Sequence, residues 1–155
     1  MDYEIINASE KHVEQLEKLE KACFSMPWTR DFLVSQLPDD RHVFIAAVEG
    51  EKVLGYVGMM YVLDEGYISN VAVAPEHRRK GIADALINEL IERCCALELS
   101  FATLEVRAGN APAISLYEKN GFYLGKNLLV TFETAQSPLT GESIEMIISR
   151  WLLRA

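Results

Sequence analysis

The chain has 155 residues, half of them apolar and a quarter charged, which is ordinary globular composition and about one domain's length. A domain of that size buries enough surface to fold without disulfides or a structural metal. Its formal net charge of -8 argues against nucleic acid as the main partner, because phosphate binding needs a basic face, and leaves a basic protein or a small amine open.

Tyr3 to Ile6 reads as a short first strand. Ser9 can cap a helix running to about Phe24, with Val13, Leu16 and Leu19 on one side. Pro27 breaks the chain within Phe24-Ser25-Met26-Pro27-Trp28, and Thr29 can cap a second short helix that stops before Pro38. Val43 to Val48 and Val53 to Val62 are strands flanking the turn Glu49-Gly50-Glu51-Lys52. Asp64-Glu65-Gly66 then turns the chain into a strand from Tyr67 to Val73, ended by Pro75. Gly81 to Leu97 is a long helix, with Ala83, Leu86, Ile87, Leu90, Ile91 and Cys94 at core-facing spacing. Asp84, Asn88, Glu89, Glu92 and Arg93 form its wet side. Phe101 to Arg107 is a strand, and Pro112 suits the first turn of a helix that ends at Gly121. Phe122 onward and Ile144 to Trp151 form a final hairpin around a polar loop at Ser137-Pro138-Leu139-Thr140-Gly141. The order predicts a single α/β (α+β) domain over residues 1–155, with a mixed sheet of about seven strands and helices on both faces.

The remaining landmarks are negative ones. Cys23, Cys94 and Cys95 are odd in number and form no Cys-x-x-Cys; with no basic, apolar leader after Met1 they predict a reducing, cytoplasmic setting. Cys94 and Cys95 read as small buried hydrophobes. No apolar stretch approaches the roughly 18 residues that span a bilayer, so no membrane partner is expected. His12, His42 and His77 lack metal-ligand spacing, and no metal site is expected.

Chemistry concentrates at Arg78-Arg79-Lys80-Gly81-Ile82-Ala83, between a strand and a helix. Gly81 allows a tight turn and close approach of a ligand to the backbone. The amides that follow open a helix, and unpaired amides backed by the helix dipole bind phosphate. The alternative is a solvated basic loop. Two further side chains suit proton transfer. Tyr117 can donate a proton, or serve as a core aromatic. Glu105 can accept one: strand alternation sets Thr103, Glu105 and Arg107 opposite Ala102, Leu104 and Val106. The alternative for that row is a wet surface.

Two segments resemble the GNAT superfamily of N-acetyltransferases. The first is Val71-Ala72-Val73-Ala74-Pro75-Glu76-His77-Arg78-Arg79-Lys80-Gly81-Ile82-Ala83, matching Arg/Gln-x-x-Gly-x-Gly/Ala after a strand. The second is Asn110-Ala111-Pro112-Ala113-Ile114-Ser115-Leu116-Tyr117-Glu118-Lys119-Asn120-Gly121-Phe122, an Asn opening a helix that carries a Tyr and ends in Gly-Phe. The resemblance implies acetyl-CoA as cosubstrate. Its pyrophosphate would lie on the amides of about Arg79 to Ala83, beside the charges of Arg78 and Lys80. The backbone of Val71, Ala72 and Val73 would pair with the pantetheine arm, and Asn110 would contact that arm. Tyr117 would protonate the departing thiolate.

Within the superfamily the chain is most similar to the bacterial ribosomal-protein-alanine N-acetyltransferases. Phe24-Ser25-Met26-Pro27-Trp28-Thr29 resembles their Phe-x-x-Pro-Trp-Ser/Thr, and Leu104-Glu105-Val106-Arg107-Ala108-Gly109-Asn110 resembles their catalytic strand, with Gly109 where Ser is usual. The likeness implies Glu105 as base, Tyr117 as acid, and an acceptor side that includes Phe24, Met26, Trp28 and Glu105. The implied partner is a ribosomal-protein N-terminus. One segment departs: Leu128-Leu129-Val130-Thr131-Phe132 stands where the family carries a Tyr-Tyr pair, and the loop from Thr134 to Ser143 is extended. An acetyltransferase for a small amine or another protein therefore stays open, as does a non-catalytic acetyl-CoA-binding module. Keeping both Glu105 and Tyr117 argues against the last, since binding the coenzyme requires neither.

Overall fold

The computed structural model describes residues 2–133 and 143–154. They form two compact units, Met1–Ala102 with Arg154–Ala155, and Thr103–Leu153. Seven strands form among the described residues. The mixed α/β fold with mostly antiparallel strands is the one that the sequence predicts.

In the first unit β1 (Glu4–Asn7), β2 (His42–Glu49), β3 (Lys52–Val62) and β4 (Glu65–Val73) make an antiparallel sheet in that order. Strand alternation sorts its two faces. Phe44, Ala46, Val48, Val53 and Tyr56 face α1 (Val13–Cys23) and α2 (Arg30–Ser35), closing a core with Val13, Leu16, Leu19 and Leu33. The opposite face receives α3 (Ile82–Ala96), whose Leu86, Ile87, Leu90 and Cys94 are buried. The Cys94 thiol lies 3.6 Å from the Met59 sulfur there. Helices thus cover both faces of this sheet.

Local chemistry sets the element ends. Ser9 opens not the α-helix itself but a 3-10 turn, Glu10–His12, and its amide donates to Nδ1 of the buried His12 at 3.0 Å. Thr29 caps α2, its hydroxyl accepting from Phe32 N at 3.2 Å. The β2–β3 turn has Gly50 at φ +62°, as a tight hairpin requires. The β3–β4 turn corrects the expectation at Gly66. The left-handed residue is Leu63, at φ +55° and 91% exposed, while Gly66 already pairs with Tyr61 inside the sheet. Glycine serves packing at 66, because a Cβ there would come within 2.9 Å of the Met59 sulfur. Cys95 is a second correction: it is exposed, one position round the helix from buried Cys94.

In the second unit β5 (Phe101–Arg107) leads to α4 (Ala111–Lys119), then to the hairpin β6 (Tyr123–Glu133) and β7 (Ser143–Arg154), with strand order β5-β7-β6. Gly121 ends α4 at φ +92°. Leu128 to Phe132, the segment that lacks the tyrosines, pairs in register with Ile148 to Ile144. The loop expected over Thr134–Ser143 falls, at 134–142, outside the described residues. Among the described residues no helix is long and apolar enough to cross a membrane.

Candidate coenzyme loop and proton-transfer residues

The basic loop has an unusual backbone. β4 ends at Val73, a 3-10 turn over Pro75–His77 follows, and the backbone then turns left-handed twice, at Arg79 (φ +63°) and Gly81 (φ +80°). A non-glycine residue held at positive φ costs on the order of 1–3 kcal/mol, so the rest of the loop must enforce it at Arg79. Gly81 is the N-cap of α3 and no side chain caps the helix; the first intrahelical bond runs from Ala85 N to Gly81 O at 3.0 Å. The amides of Ile82, Ala83 and Asp84 precede that bond, at the positive end of the helix dipole. A Cβ at Gly81 would meet nothing within 4 Å, so the backbone is unobstructed at that residue. That combination fits the pyrophosphate of coenzyme A. Arg79, Lys80 and Gly81 are exposed, while Ile82 is buried and roots the helix.

Arg78 behaves differently from its neighbours. Its Nε donates to the Val73 carbonyl at 3.1 Å and its Nη2 approaches the Cys23 sulfur at 3.4 Å. The Cys23 thiol donates to the same carbonyl at 3.5 Å. The guanidinium therefore locks the loop onto the end of β4. Ala74 N donates to Leu54 O of β3 at 2.8 Å, and main-chain groups alternate sides along a strand. Val71 and Val73 consequently point their amides and carbonyls away from β3, as Ala72 does not. An extended arm pairing at Val73 would use its amide, because the carbonyl already accepts two bonds.

The segment between α1 and α2 divides its sequence-predicted residues. Phe24 and Trp28 are half-buried against the first unit's core, with Trp28 edge-on to Phe32 at 4.9 Å between ring centres. Met26 projects outward and is 63% exposed. Beneath this segment lies Glu20, which the sequence reading leaves out. It is fully buried, although it sits on the same helix stripe as Leu16. A carboxylate one turn after a core leucine is the signal that could have found it.

The second unit carries Glu105, Asn110 and Tyr117 along one strand, turn and helix. Glu105 lies on the exposed row of β5 with Arg107, opposite buried Ala102 and Leu104, as the alternation predicts. Asn110 caps α4, its Oδ1 accepting from Ala113 N at 3.3 Å. Tyr117 is 8% exposed and packs against Phe122, ring centres 5.7 Å apart. Burial pushes its hydroxyl up to about 12, so it stays protonated and able to donate at any physiological pH.

Comparison with known proteins decides the family. The model of the acetyltransferase (GNAT) family matches residues 13–122. The chain belongs to the GNAT family. It is an N-acetyltransferase of mixed α/β fold. It is 33% identical over 104 residues to the ribosomal protein bS18-alanine N-acetyltransferase of Escherichia coli (strain K12), covering 67% of this chain and 70% of that one. The crystal structure of the Escherichia coli ribosomal-protein-S18-alanine N-acetyltransferase superposes with a TM-score of 0.84 at 25% identity, covering 99% of this chain and 94% of that one. Arabidopsis thaliana NAA60, solved in complex with acetyl-CoA, shares the fold with a TM-score of 0.83 at 21% identity, covering 99% and 100%.

Proposed function

We propose that this GNAT enzyme transfers acetyl from acetyl-CoA to the N-terminal alanine of a small-subunit ribosomal protein, in the cytoplasm. The observation that carries the donor half is the N-terminus of α3, free of any side-chain cap, behind left-handed Gly81, where a Cβ would meet nothing within 4 Å. The acceptor half rests on the likeness to the Escherichia coli bS18-alanine enzyme, 33% identical over 104 residues and alike in fold over 99% of this chain.

The amides after Gly81 hold the pyrophosphate, with Arg79 and Lys80 adding charge. Bound acetyl-CoA supplies the activated acetyl group. Glu105 takes a proton from the acceptor nitrogen as the carbon–nitrogen bond forms. Tyr117 gives its hydroxyl proton to the sulfur as the carbon–sulfur bond breaks. The products are an amide and a free thiol, and solvent returns each residue to its starting state. Each positioned proton transfer is typically worth about a hundredfold to ten-thousandfold in rate.

One observation favours a second reading. Leu128 to Phe132 of β6 replaces the family's Tyr-Tyr pair, which leaves room for a small amine or another protein as acceptor. The test is a thiol-release screen with acetyl-CoA against ribosomal N-terminal peptides and polyamines. Turnover with alanine-starting peptides supports the proposal, and turnover with polyamines alone supports the second reading.

A further inference from the structure

Glu20 stands in the last turn of α1, with 0% of its surface exposed. Three donors, from β3, β4 and the crossing between α1 and α2, converge on its carboxylate. The Tyr56 hydroxyl of β3 donates to Oε1, Asn70 Nδ2 of β4 donates to the same oxygen at 3.1 Å, and the Trp28 amide donates to Oε2 at 2.9 Å. Asn70 Nδ2 also lies 3.4 Å from the Tyr56 hydroxyl, and the Tyr56 ring stacks on Phe44 at 5.0 Å and 10°. No cation is among these partners. Burying an unpaired carboxylate is costly, and an apolar residue would extend the Leu16 stripe at lower cost. The core therefore does not call for a charge at this position.

The Trp28 bond supplies the reason. Between the last α1 bond, Phe24 N to Glu20 O at 2.9 Å, and the Thr29 cap of α2, the chain crosses Pro27, which has no amide to donate. The carboxylate fastens this crossing, at the Trp28 backbone, to β3 and β4 beneath it. All three partners are donors, and only a group with acceptors on both arms satisfies them together. Glutamine must turn an NH2 toward the Trp28 amide, or else toward Asn70 and Tyr56.

We propose that Glu20 is a positioning residue for the acceptor: through Trp28 it sets the path of Phe24–Thr29 and so presents Met26 to the incoming amine-bearing chain. This rests on the reading of that segment as the acceptor side. Glu20 has no exposed surface and touches no substrate itself.

The test uses the full chain labelled with 5-fluorotryptophan, in wild-type and Glu20→Gln forms. Fluorine NMR gives one resonance for Trp28, identified as the one lost in Trp28→Phe, and one for Trp151. Kinetics use whichever amine the wild-type acetylates best. Glu20→Gln should shift the Trp28 resonance and leave that of Trp151. The acceptor KM should rise about tenfold, the scale of one lost charge-assisted hydrogen bond, while kcat and the acetyl-CoA KM stay within about twofold. Tyr56→Phe, which keeps the ring on Phe44, should give the same pattern at smaller size if Glu20→Gln does not fold. An unmoved Trp28 resonance overturns the anchoring. A shifted Trp28 with an unchanged acceptor KM leaves the anchor but overturns the acceptor role of the segment. A loss spread evenly over both KM values and kcat reduces Glu20 to a general stability residue and overturns the proposal.

Discussion

Gly81→Asp and Gly81→Asn make a matched pair that isolates the charge of the coenzyme loop. Both side chains tolerate left-handed backbone better than most, so the φ of +80° costs each about 1 kcal/mol. Neither meets a steric obstacle near the backbone, because a Cβ at 81 has nothing within 4 Å. Both variants should therefore fold, with melting temperatures about 2–4 °C below wild type. They differ in one negative charge placed over the amides of Ile82 to Asp84. A charge about 4 Å from phosphate costs about 1 kcal/mol in bulk water and about 4 kcal/mol near a protein surface. Coenzyme A should accordingly bind Gly81→Asp more weakly than Gly81→Asn by a factor between about 5 and about 800. The gap should narrow as salt is added. Isothermal calorimetry on both folded variants reads this ratio. Equal coenzyme A affinity for the Asp and Asn forms would refute the phosphate role of the α3 N-terminus.

Tyr117→Phe keeps the ring against Phe122 and should bind coenzyme A normally while turning over about a hundredfold more slowly, read by stopped-time thiol release. With the Tyr117 hydroxyl pushed up to about 12, wild-type activity should show no loss attributable to its ionisation up to about pH 10, and stability from this group should fall only as pH rises from about 10 through 12. Glu105→Gln should depress the rate most at low pH, where the acceptor amine is most protonated and the base most needed; a pH-independent loss would remove the base role. Burial holds the Glu20 carboxyl above its ordinary 4.5, with the Trp28 and Asn70 bonds opposing. The folded state then binds more protons than the unfolded one just above pH 4.5, so this group's contribution is greatest below that pH and is lost as pH rises through the folded value. The melting temperature of Glu20→Gln should therefore gain on wild type as pH rises above 4.5, and a constant offset would contradict it. Iodoacetamide should label exposed Cys95 in the folded protein and spare Cys94, whose thiol burial pushes up to about 11.

Elements whose signals are local were legible. The α3 stripe from Leu86 to Cys94, the Thr29 cap, the helix starts at Gly81 and Asn110, and the alternation of β5 all depend on neighbours within a few residues. What escaped depends on chain far away in sequence. Gly66 looks like a turn residue until Met59, across the hairpin, is seen to need the space. Cys95 looks like a core residue beside Cys94 until the helix phase places it outside. Glu20 looks like one more charge on a mixed helix until Tyr56 and Asn70, 36 and 50 residues on, turn out to hold it. The backbone of the basic loop was readable because its demands, a glycine and a helix start, are written in consecutive residues. The acceptor was not, since Leu128 to Phe132 departs from the pattern that the rest of the chain resembles.

The central claim is that the acceptor is an α-amine. A free α-amine has a pKa of about 7.7–8.0 and lysine about 10.4, so near pH 7.5 a sizeable fraction of the first is already neutral and only roughly a thousandth of the second. A single carboxylate such as Glu105 is matched to the easier deprotonation. Tandem mass spectrometry on a basic peptide with a free N-terminal alanine and internal lysines, incubated with enzyme and acetyl-CoA, locates the acetyl group directly. The account predicts acetylation at the N-terminal nitrogen; acetylation on the lysines alone, or on polyamines and never on the peptide, would contradict it.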